Sequence, residues 1–415
     1  MKILIISDLF PPNIKGGYEL RCEEACNWLH DNNHQIEVLT TLSKETNIGH
    51  QFPVNRLLVP YPLGKTPSEW SFPKKVIYAI KDNLILRRII KRVNPDLIYV
   101  WHCQGLSRAL IPVIFSSQID KIVDVSDKWL LKVKSQHGPI HRFLEENHRN
   151  YLHTILQMLL RLLIPILSLN TIHKKYKLDF KNSTGYFTSR WNKQLQSEQI
   201  IECKNFNVIY TGINPSIFPY KKKDNFSIPI KLLYIGRISE EKGFVMLLNQ
   251  LKIVEMSGIK FEMKVVGEYS SEMSKKKILN LIDEFKLSNI IFEGKQNREK
   301  LYKYYHEAHF TVFPSICDEA FSRIPLESLA CGTPCISTNN PGSKELFEQA
   351  VPLIKLEVNS DSLLNTMRQF TENEQEYLSI SQKGYESVNQ NFTFQKYMEK
   401  VNLMLLKILS NTSGK

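Results

Sequence analysis

The sequence predicts an α/β protein built from two consecutive doubly wound domains. Strand-like apolar runs and helical segments alternate through the first half of the chain, as in a parallel sheet covered by helices. The same alternation restarts near residue 231, after a stretch that contains several prolines and lysines. The length of 415 residues also exceeds what one hydrophobic core usually serves.

The first half begins with a strand and then alternates between strands and helices. The predicted strands are KILIISD, QIEVLTTL, DLIYVW, KIVDVSD, TGYFTS and NVIYTGI. Helices are predicted over ELRCEEACNWLH and VIYAIKDNLILRRIIKRV. This rhythm indicates a parallel sheet in an N-terminal, Rossmann-like domain over residues 1–213.

The second half follows a linker, NPSIFPYKKKDNFSIPI, and repeats the pattern. Its predicted strands are KLLYIGR, FEMKVVGE, IIFEG, HFTVFP and PCIST, with helices over GFVMLLNQLKIVEM and KKKILNLIDEF. We expect a second Rossmann-like domain over residues 214–390, facing the first across a central cleft. A C-terminal helix within residues 391–415 is expected to pack back towards the first domain.

The composition indicates an ordinary globular protein with an unusual charge. The formal net charge of +12 and the pI near 9.1 favour an anionic partner, such as a phosphorylated substrate, a membrane surface or nucleic acid. The 7 cysteines form no CxxC or Cys/His ligand spacing. Together with a first segment too short for a signal peptide, they favour a cytoplasmic location.

The segment from Ile155 to Leu169 is strongly apolar, yet it is interrupted by Arg161 and Pro165. It is shorter than the roughly 20 residues that a membrane span requires. A basic run, His173 to Lys177, follows it. The segment is therefore either an interfacial helix on an anionic membrane surface or a buried core helix.

Residues 314–338, PSICDEAFSRIPLESLACGTPCIST, read as the end of a strand, a loop, a helix and a second strand. Pro325 suits the first helical turn and Gly332 suits its end. Glu319 and Glu327 then lie at the carboxyl end of a strand, beside a helix start that can hold a phosphate. They are either sugar-nucleotide contacts or solvated charges at a helix start.

Two other loops carry candidate phosphate contacts. Gly16 and Gly17, within PPNIKGGYE, allow a close approach of the backbone to a ligand before a helix, although a plain turn also fits. In YIGRISEEKGF, Arg237 and Lys242 suit a diphosphate, because the two cations can neutralise a leaving group. An ordinary solvated loop would also contain such charges.

Further strand ends carry weaker signals. Gly267 and Gly294 could leave room for a base and ribose. Asp127, which lies three residues after Asp124, could bind an acceptor hydroxyl or stabilise an oxocarbenium-like charge. An Asp that only forms a turn is equally compatible. The sequence contains no HExxH, no Asp-x-Asp and no GxGxxG, which argues against a metal site and against a nicotinamide dehydrogenase.

Taken together, these motifs resemble the GT4 family of retaining glycosyltransferases (glycosyl transferases group 1) of the GT-B fold. The resemblance is carried, in order, by PPNIKGGYE, NPDLIYVW, VIYTGINPSIF, LLYIGRISEEKG, FEMKVVGE, IIFEGK and DEAFSRIPLESLACGTPCIST. It implies that Glu319 binds the hydroxyls of the donor sugar and Glu327 its ribose. It also implies that Arg237 and Lys242 bind the diphosphate and that Gly17 lies near the phosphates and the acceptor.

The resemblance implies that the domain over residues 1–213 binds the acceptor and that the domain over residues 214–390 binds the nucleotide-sugar, and it assigns the remaining candidates to these two functions. Gly16 and Glu19 accompany Gly17 in the loop for phosphate and acceptor, whereas Phe321, Ser322, Gly267 and Gly294 join the donor site. Three places depart from the family pattern, and at one of them Ser328 and Leu329 replace the small residues common after the second glutamate, a change that the helix should tolerate. Ser126 precedes Asp127 where the family often has His, so that Asp127 would act alone. Ser322 replaces a glycine, which could alter the donor preference.

The sequence therefore predicts a retaining glycosyltransferase that needs no metal. It would move a hexose-type sugar from a UDP- or GDP-sugar to a glycan or lipid-linked acceptor, in polysaccharide, lipopolysaccharide or glycolipid biosynthesis. An epimerase or phosphorylase of GT-B architecture and a non-catalytic polyanion-binding protein are the alternatives. Nucleic acid is not expected, since the lysines are not interleaved with aromatics. The protein would be cytoplasmic and peripheral on the inner face of the membrane.

Overall fold

The computed structural model describes residues 1–43, 49–60, 72–134, 144, 151–166, 183–199, 205–224, 226–358 and 360–412. Tertiary contacts divide the chain into two compact units. Unit 1 comprises Met1–Ile209 together with Val401–Lys415, and unit 2 comprises Tyr210–Lys400. The chain therefore passes between units first after Ile209 and again within its last helix.

Unit 1 contains a seven-stranded sheet in which every neighbouring pair is parallel. Its strands are β1 (Lys2–Ile6), β2 (Gln35–Thr41), β3 (Val54–Leu58), β4 (Leu97–Val100), β5 (Asp120–Val125), β6 (Ser183–Phe187) and β7 (Phe206–Val208). Their order across the sheet is β3-β2-β1-β4-β5-β6-β7. The strand β3 was not predicted from the sequence.

The helices of unit 1 connect these strands. They are α1 (Gly17–Asp31), α2 (Phe72–Val93), α3 (Leu110–Ser116), α4 (Trp129–Lys134), α5 (Tyr151–Ile166) and α6 (Arg190–Gln199). The strand β4 is buried along its whole length, and only the first residue of β1 is exposed. Continuous apolar runs of this kind are typical of parallel strands covered on both faces, which explains why these two strands were readable from the sequence.

Unit 2 contains a six-stranded parallel sheet with the order β10-β9-β8-β11-β12-β13. The strands are β8 (Ile230–Ile235), β9 (Phe261–Val266), β10 (Ile290–Gly294), β11 (Phe310–Phe313), β12 (Cys335–Thr338) and β13 (Ile354–Leu356). The helices are α7 (Phe244–Met256), α8 (Glu272–Phe285), α9 (Leu301–Glu307), α10 (Ile324–Ala330), α11 (Pro341–Glu348), α12 (Ser362–Glu372), α13 (Glu374–Asn391) and α14 (Phe394–Thr412).

Each sheet has a topological switch point, where the order of strands reverses. In unit 1 the chain leaves β1 towards β2 on one side, whereas β4 lies on the other side of β1. In unit 2 the corresponding neighbours are β8 and β11. Ligands of open α/β sheets bind at the carboxyl ends of such strands. The loops that follow β1 and β4, and those that follow β8 and β11, are therefore the positions to inspect.

The helix α5 covers most of the predicted apolar segment, of which residues 167–169 lie outside the described ranges. Within the described part of the chain, no helix is long and apolar enough to cross a membrane. Although Leu160 is buried, α5 presents several large apolar side chains to solvent at helical spacing. The exposed residues are Tyr151, Ile155, Met158, Leu159 and Leu162.

Candidate functional site

The carboxyl edge of the unit 2 sheet is lined by glycines. The N–H of Gly236 donates to the carbonyl of Val266 at 3.0 Å, and the N–H of Gly267 donates to the carbonyl of Gly294 at 2.9 Å. A Cβ on Gly267, whose φ is +150°, would lie 1.8 Å from the oxygen of Gly236. Gly267 is thus needed for the contact between strands, whereas Gly294 borders open space.

The loop after β8 holds Lys242 immediately before α7. Gly243, the last residue of this loop, is the N-cap of α7 and adopts a left-handed φ of +73°. The hydroxyl of Tyr234 donates to the carbonyl of Arg237 at 2.6 Å, and the N–H of Lys242 donates to Ser239 Oγ at 3.3 Å. The first contact ties the start of the loop to β8, and the second closes a turn within the loop.

Lys242 and Glu319, which are far apart in the sequence, form an ion pair in the structure. Their side chains are 24% and 19% exposed, so the pair is largely withdrawn from water yet still reachable by a ligand. Ser315 Oγ donates to Glu319 Oε1 at 2.9 Å, and Cys317 Sγ lies 3.6 Å from Lys242 Nζ. Burial alone would lower the pKa of Lys242, but Glu319 raises it, so the ammonium stays charged.

Arg237 lies apart from this pair. Its guanidinium is 58% exposed and lies 3.6 Å from Glu241, which is equally exposed. Exposed ion pairs of this kind contribute between zero and about 1 kcal/mol. The guanidinium is therefore held only weakly and can exchange Glu241 for a stronger anion such as a diphosphate.

Glu327 lies in the first turn of α10 and is buried. The hydroxyl of Tyr305, itself fully buried, donates to Glu327 Oε2 at 3.1 Å. Arg323 Nε approaches Glu327 Oε1 at 3.8 Å. Pro325 falls at the start of α10, as predicted, and leaves no N–H to satisfy there. Glu327 is thus a fixed acceptor behind the loop and not a solvated charge.

The segment between the two glutamates is packed from behind. The ring of Phe321 stacks on Tyr210 with centroids 5.2 Å apart, and Ser322 is buried. A Cβ on Gly342 in α11 would lie 3.0 Å from the carbonyl oxygen of Glu319 and 3.1 Å from Phe321 Cα. The loop that carries Glu319 is therefore held in place by the backbone of α11.

In unit 1, Asp127 lies beyond the end of β5 and contacts a histidine that sequence reasoning did not select. His102 Nε2 lies 3.2 Å from Asp127 Oδ2, and His102 Nδ1 lies 2.7 Å from Asp8 Oδ2. Asp8 also accepts N–H bonds from Gly105 at 2.7 Å and from Leu9 at 2.8 Å. The three side chains form a row across the ends of β1, β4 and β5. We call this row the Asp8–His102–Asp127 triad.

Asp124, by contrast, belongs to the interior. Its carboxylate pairs with Arg21 at 2.9 Å, and both side chains are almost fully buried. Tyr186 donates to the same carboxylate at 2.7 Å, and Ser126 is hydrogen-bonded to both partners of the pair. Ser126, at the position where the family often has His, is therefore committed to this buried network.

The loop before α1 differs from the prediction in one respect. Gly16 has an extended φ of −164°, which any residue adopts, so no left-handed turn is required there. Glu19 Oε2 accepts the N–H of Gly16 at 3.0 Å and so caps the start of α1, which begins at Gly17. Burial raises the pKa of Glu19. Its first observable role is to cap the helix.

Asp8 and His102 could have been found from the sequence. Asp8 is the last residue of the predicted strand KILIISD, and His102 directly follows the predicted strand DLIYVW. Carboxyl ends of adjacent parallel strands meet at one edge. The signal that was missed is the adjacency of β4 to both β1 and β5, which only the strand order reveals. In unit 2, the close contact between Gly243 and the carbonyl oxygen of Pro314 could likewise not be predicted without the fold.

Two parallel, doubly wound sheets with polar clusters at their switch points define the GT-B fold, as predicted. Sucrose-phosphate synthase from Thermosynechococcus elongatus superposes over 99% of both chains with a TM-score of 0.69 at 16% identity. HepE from Anabaena, solved with UDP and glucose, superposes over 98% of this chain and 100% of its own with a TM-score of 0.66 at 16% identity. At these identities the similarity shows the fold.

The family is indicated by the second half of the chain. Residues 219–387 match the family model described as Glycosyl transferases group 1. This match confirms, for that segment, the resemblance drawn from the motifs. The segment includes the loops that carry Lys242, Glu319 and Glu327.

Curated relatives align over part of their length. A lipopolysaccharide 1,2-N-acetylglucosaminetransferase from Salmonella typhimurium is 27% identical over 39% of this chain and 46% of its own. An amylovoran biosynthesis glycosyltransferase from Erwinia amylovora is 29% identical over 36% of this chain and 37% of its own. The alignments thus span less than half the length of these relatives.

Proposed function

We propose that this protein is a retaining glycosyltransferase that moves a hexose-type sugar from a nucleoside diphosphate to a glycan or lipid-linked acceptor. The observation that carries the proposal is the ion pair between Lys242 and Glu319 at the switch point of unit 2. It places a cation for phosphate and a carboxylate for sugar hydroxyls side by side, within the segment that matches the family model.

Binding of the donor would break the ion pair between Lys242 and Glu319, and each side chain would then contact the donor instead. A diphosphate competes with Glu319 for the ammonium of Lys242, and the mobile guanidinium of Arg237 supplies a second charge. Glu319, released from Lys242, then accepts hydrogen bonds from the sugar hydroxyls. Glu327, held by Tyr305, accepts those of the ribose. The glycine edge at Gly294 leaves open space for the base.

The positive charges of Lys242 and Arg237 beside the leaving phosphate favour a reaction that needs no metal ion. They would neutralise the charge that grows on the departing diphosphate in the transition state. We propose that Asp127 in unit 1 contacts the acceptor hydroxyl. A UDP-sugar is the first donor to test, since HepE was solved with UDP-glucose, and a polysaccharide or lipopolysaccharide acceptor is suggested by the curated relatives.

The decisive experiment separates binding of the nucleotide from transfer of the sugar. Hydrolysis and transfer are screened with UDP-, GDP- and ADP-sugars, with and without EDTA, and the anomer of the product is read by NMR. Glu319→Gln should abolish transfer while tightening UDP binding about two- to tenfold, because Lys242 loses a competing partner. Lys242→Met should weaken UDP binding at least tenfold.

The matched control is Lys277→Met, which removes an exposed ion pair with Glu240 in the same unit. It should leave binding and transfer unchanged. An active Glu319→Gln enzyme would remove Glu319 from the site. Release of free sugar phosphate, or an inverted anomer, would favour a phosphorylase or an inverting enzyme over the proposed reaction.

We further propose that the protein works in the cytoplasm, on the inner face of the membrane. The exposed apolar face of α5 contains no carboxylate, and a basic sequence, His173 to Lys177, follows it in the chain. Such a face suits an anionic lipid surface. Sedimentation with phosphatidylglycerol vesicles should fall severalfold in Met158→Glu. It should stay unchanged in Met273→Glu, at a still more exposed position on α8.

A further inference from the structure

The Asp8–His102–Asp127 triad is ordered from the interior towards solvent. The side chain of Asp8 is 2% exposed, that of His102 13% and that of Asp127 46%. Only the last carboxylate can therefore meet a ligand. Its two oxygens are already oriented, since Oδ2 faces His102 and Oδ1 accepts the N–H of Trp129 at 2.7 Å.

We propose that His102 and Asp8 are positioning residues for sugar transfer: they hold the Asp127 carboxylate ionised and aimed, ready to accept a hydrogen bond from the attacking acceptor hydroxyl. The inference rests on the proposed function and deepens it by naming what prepares Asp127. No bond forms or breaks within the triad. Its effect is to keep one acceptor in one orientation before the substrate arrives.

The charges within the triad support this arrangement. Burial alone would lower the pKa of His102, but Asp8 and Asp127 raise it to about 10. The pKa of Asp127 is lowered by His102 against the opposing effect of burial. At neutral pH a His102 imidazolium thus faces the Asp127 carboxylate. An imidazolium cannot accept a proton, so His102 acts through Asp127 and not as a base.

The exposed Asp127 carboxylate accepts hydrogen bonds, so it suits an acceptor hydroxyl better than a phosphate. The acceptor should therefore present an uncharged sugar hydroxyl at this point. Among the described residues, the titratable or charged groups near the triad include Tyr18 and Glu19 on α1, Cys103 after β4 and Lys132 on α4.

The competing explanation is that His102 merely braces the ends of three strands. The two explanations differ in how activity depends on pH. If His102 keeps Asp127 ionised, its removal raises the pKa of Asp127. The acid limb of kcat/KM for the acceptor then moves to higher pH. If His102 is only a brace, its removal lowers stability and leaves that limb where it was.

The experiment compares wild type, His102→Ala and His102→Gln at saturating donor. We expect kcat/KM for the acceptor to fall about 10- to 100-fold in His102→Ala. Its acid limb should move up by about one pH unit, and the dissociation constant for UDP should change less than twofold. His102→Gln, which keeps a donor for Asp127 without the charge, should recover part of the rate and keep the shifted limb. An unmoved acid limb in a folded His102→Ala enzyme overturns the proposal.

A second measurement does not depend on sugar transfer. The imidazole of His102 is followed by nitrogen NMR in wild type, in Asp8→Asn and in Asp120→Asn, a control at the other end of β5. We expect a protonated ring at pH 8 in wild type and in the control, and a titration at lower pH in Asp8→Asn. A neutral wild-type ring at pH 7 overturns the proposal. If no donor supports transfer, the proposed function fails. The titration of His102 still tests whether Asp8 keeps this imidazole protonated.

Discussion

The carbonyl oxygen of Pro314 lies against the backbone of Gly243, so close that a Cβ there would be 1.8 Å from the oxygen. Pro314 follows β11 and opens the loop that carries Glu319, whereas Gly243 ends the loop that carries Lys242. This contact joins the two loops of the proposed donor site without any side chain. It explains how residues so distant in sequence can form one ion pair.

Gly243→Ala should therefore damage the site as well as the fold. The substituted residue would have to adopt φ of +73° and displace Pro314, at a cost of about 3 kcal/mol or more. Gly258→Ala is the control, since its φ of +78° is equally strained but no atom lies within 4 Å of the new Cβ. It should cost only about 1 kcal/mol.

The two variants are compared by chemical denaturation and by calorimetric titration with UDP. We expect Gly243→Ala to weaken UDP binding at least tenfold even when folded, and Gly258→Ala to bind normally. Equal affinities would show that the contact with Pro314 does not set the donor loops.

Tyr305→Phe tests the proposed ribose contact. Losing the Tyr305 hydroxyl leaves a buried oxygen of Glu327 without this hydrogen bond, which should lower the free energy of unfolding by about 1–3 kcal/mol. UDP binding should weaken about 5- to 20-fold, because Glu327 is no longer held. Tyr377→Phe removes a similarly buried bond to the carbonyl of His309. That variant should lose stability to a comparable degree while UDP binding stays within twofold.

Stability should depend on pH in opposite directions through two histidines. The folded pKa of His102 is raised to about 10, so its stabilising contribution is complete below about 6.5 and is lost as pH rises towards 10. On the order of 2–4 kcal/mol of this dependence should disappear in His102→Gln.

His309 provides the opposite case in unit 2. Burial, followed by the charges of Lys223 and Lys231, lowers its pKa to about 4. Its contribution is therefore present above about 6.5 and is lost as pH falls towards 4. Urea denaturation at several pH values should show the alkaline loss weakened in His102→Gln and the acid loss weakened in His309→Gln. The same pH profile in both variants would contradict the assignment.

The sequence was most informative where local chemistry decides the structure. The helix α10 was predicted because Pro325 and Gly332 mark its start and end, and β11 and β12 because they are short apolar runs beside them. The strands β3 and β13 were not predicted, because β3 has a single buried residue and β13 is only 3 residues long. Elements with strong local signals thus emerged, and marginal ones did not.

The candidate site was harder to predict, because its important contacts are not local. Glu319 and Lys242 were selected separately from their motifs, and only the fold shows that they touch. His102 was missed because its partner Asp127 belongs to the neighbouring strand β5. The sequence departure at Ser126 suggested that Asp127 lacks an imidazole. The structure supplies one from β4.

The helix α14 has a consequence for how such proteins can be rebuilt. Because Val401–Lys415 belongs to unit 1, unit 2 is a continuous insertion within the sequence of unit 1. Val401 and Leu405 are fully buried, so residues 1–209 alone would expose an unfinished core. Exchanging the proposed donor site between relatives therefore means replacing the whole of unit 2, which is joined to unit 1 at two points in the sequence. The second junction falls in the middle of a helix, where the helical register must be preserved across the splice.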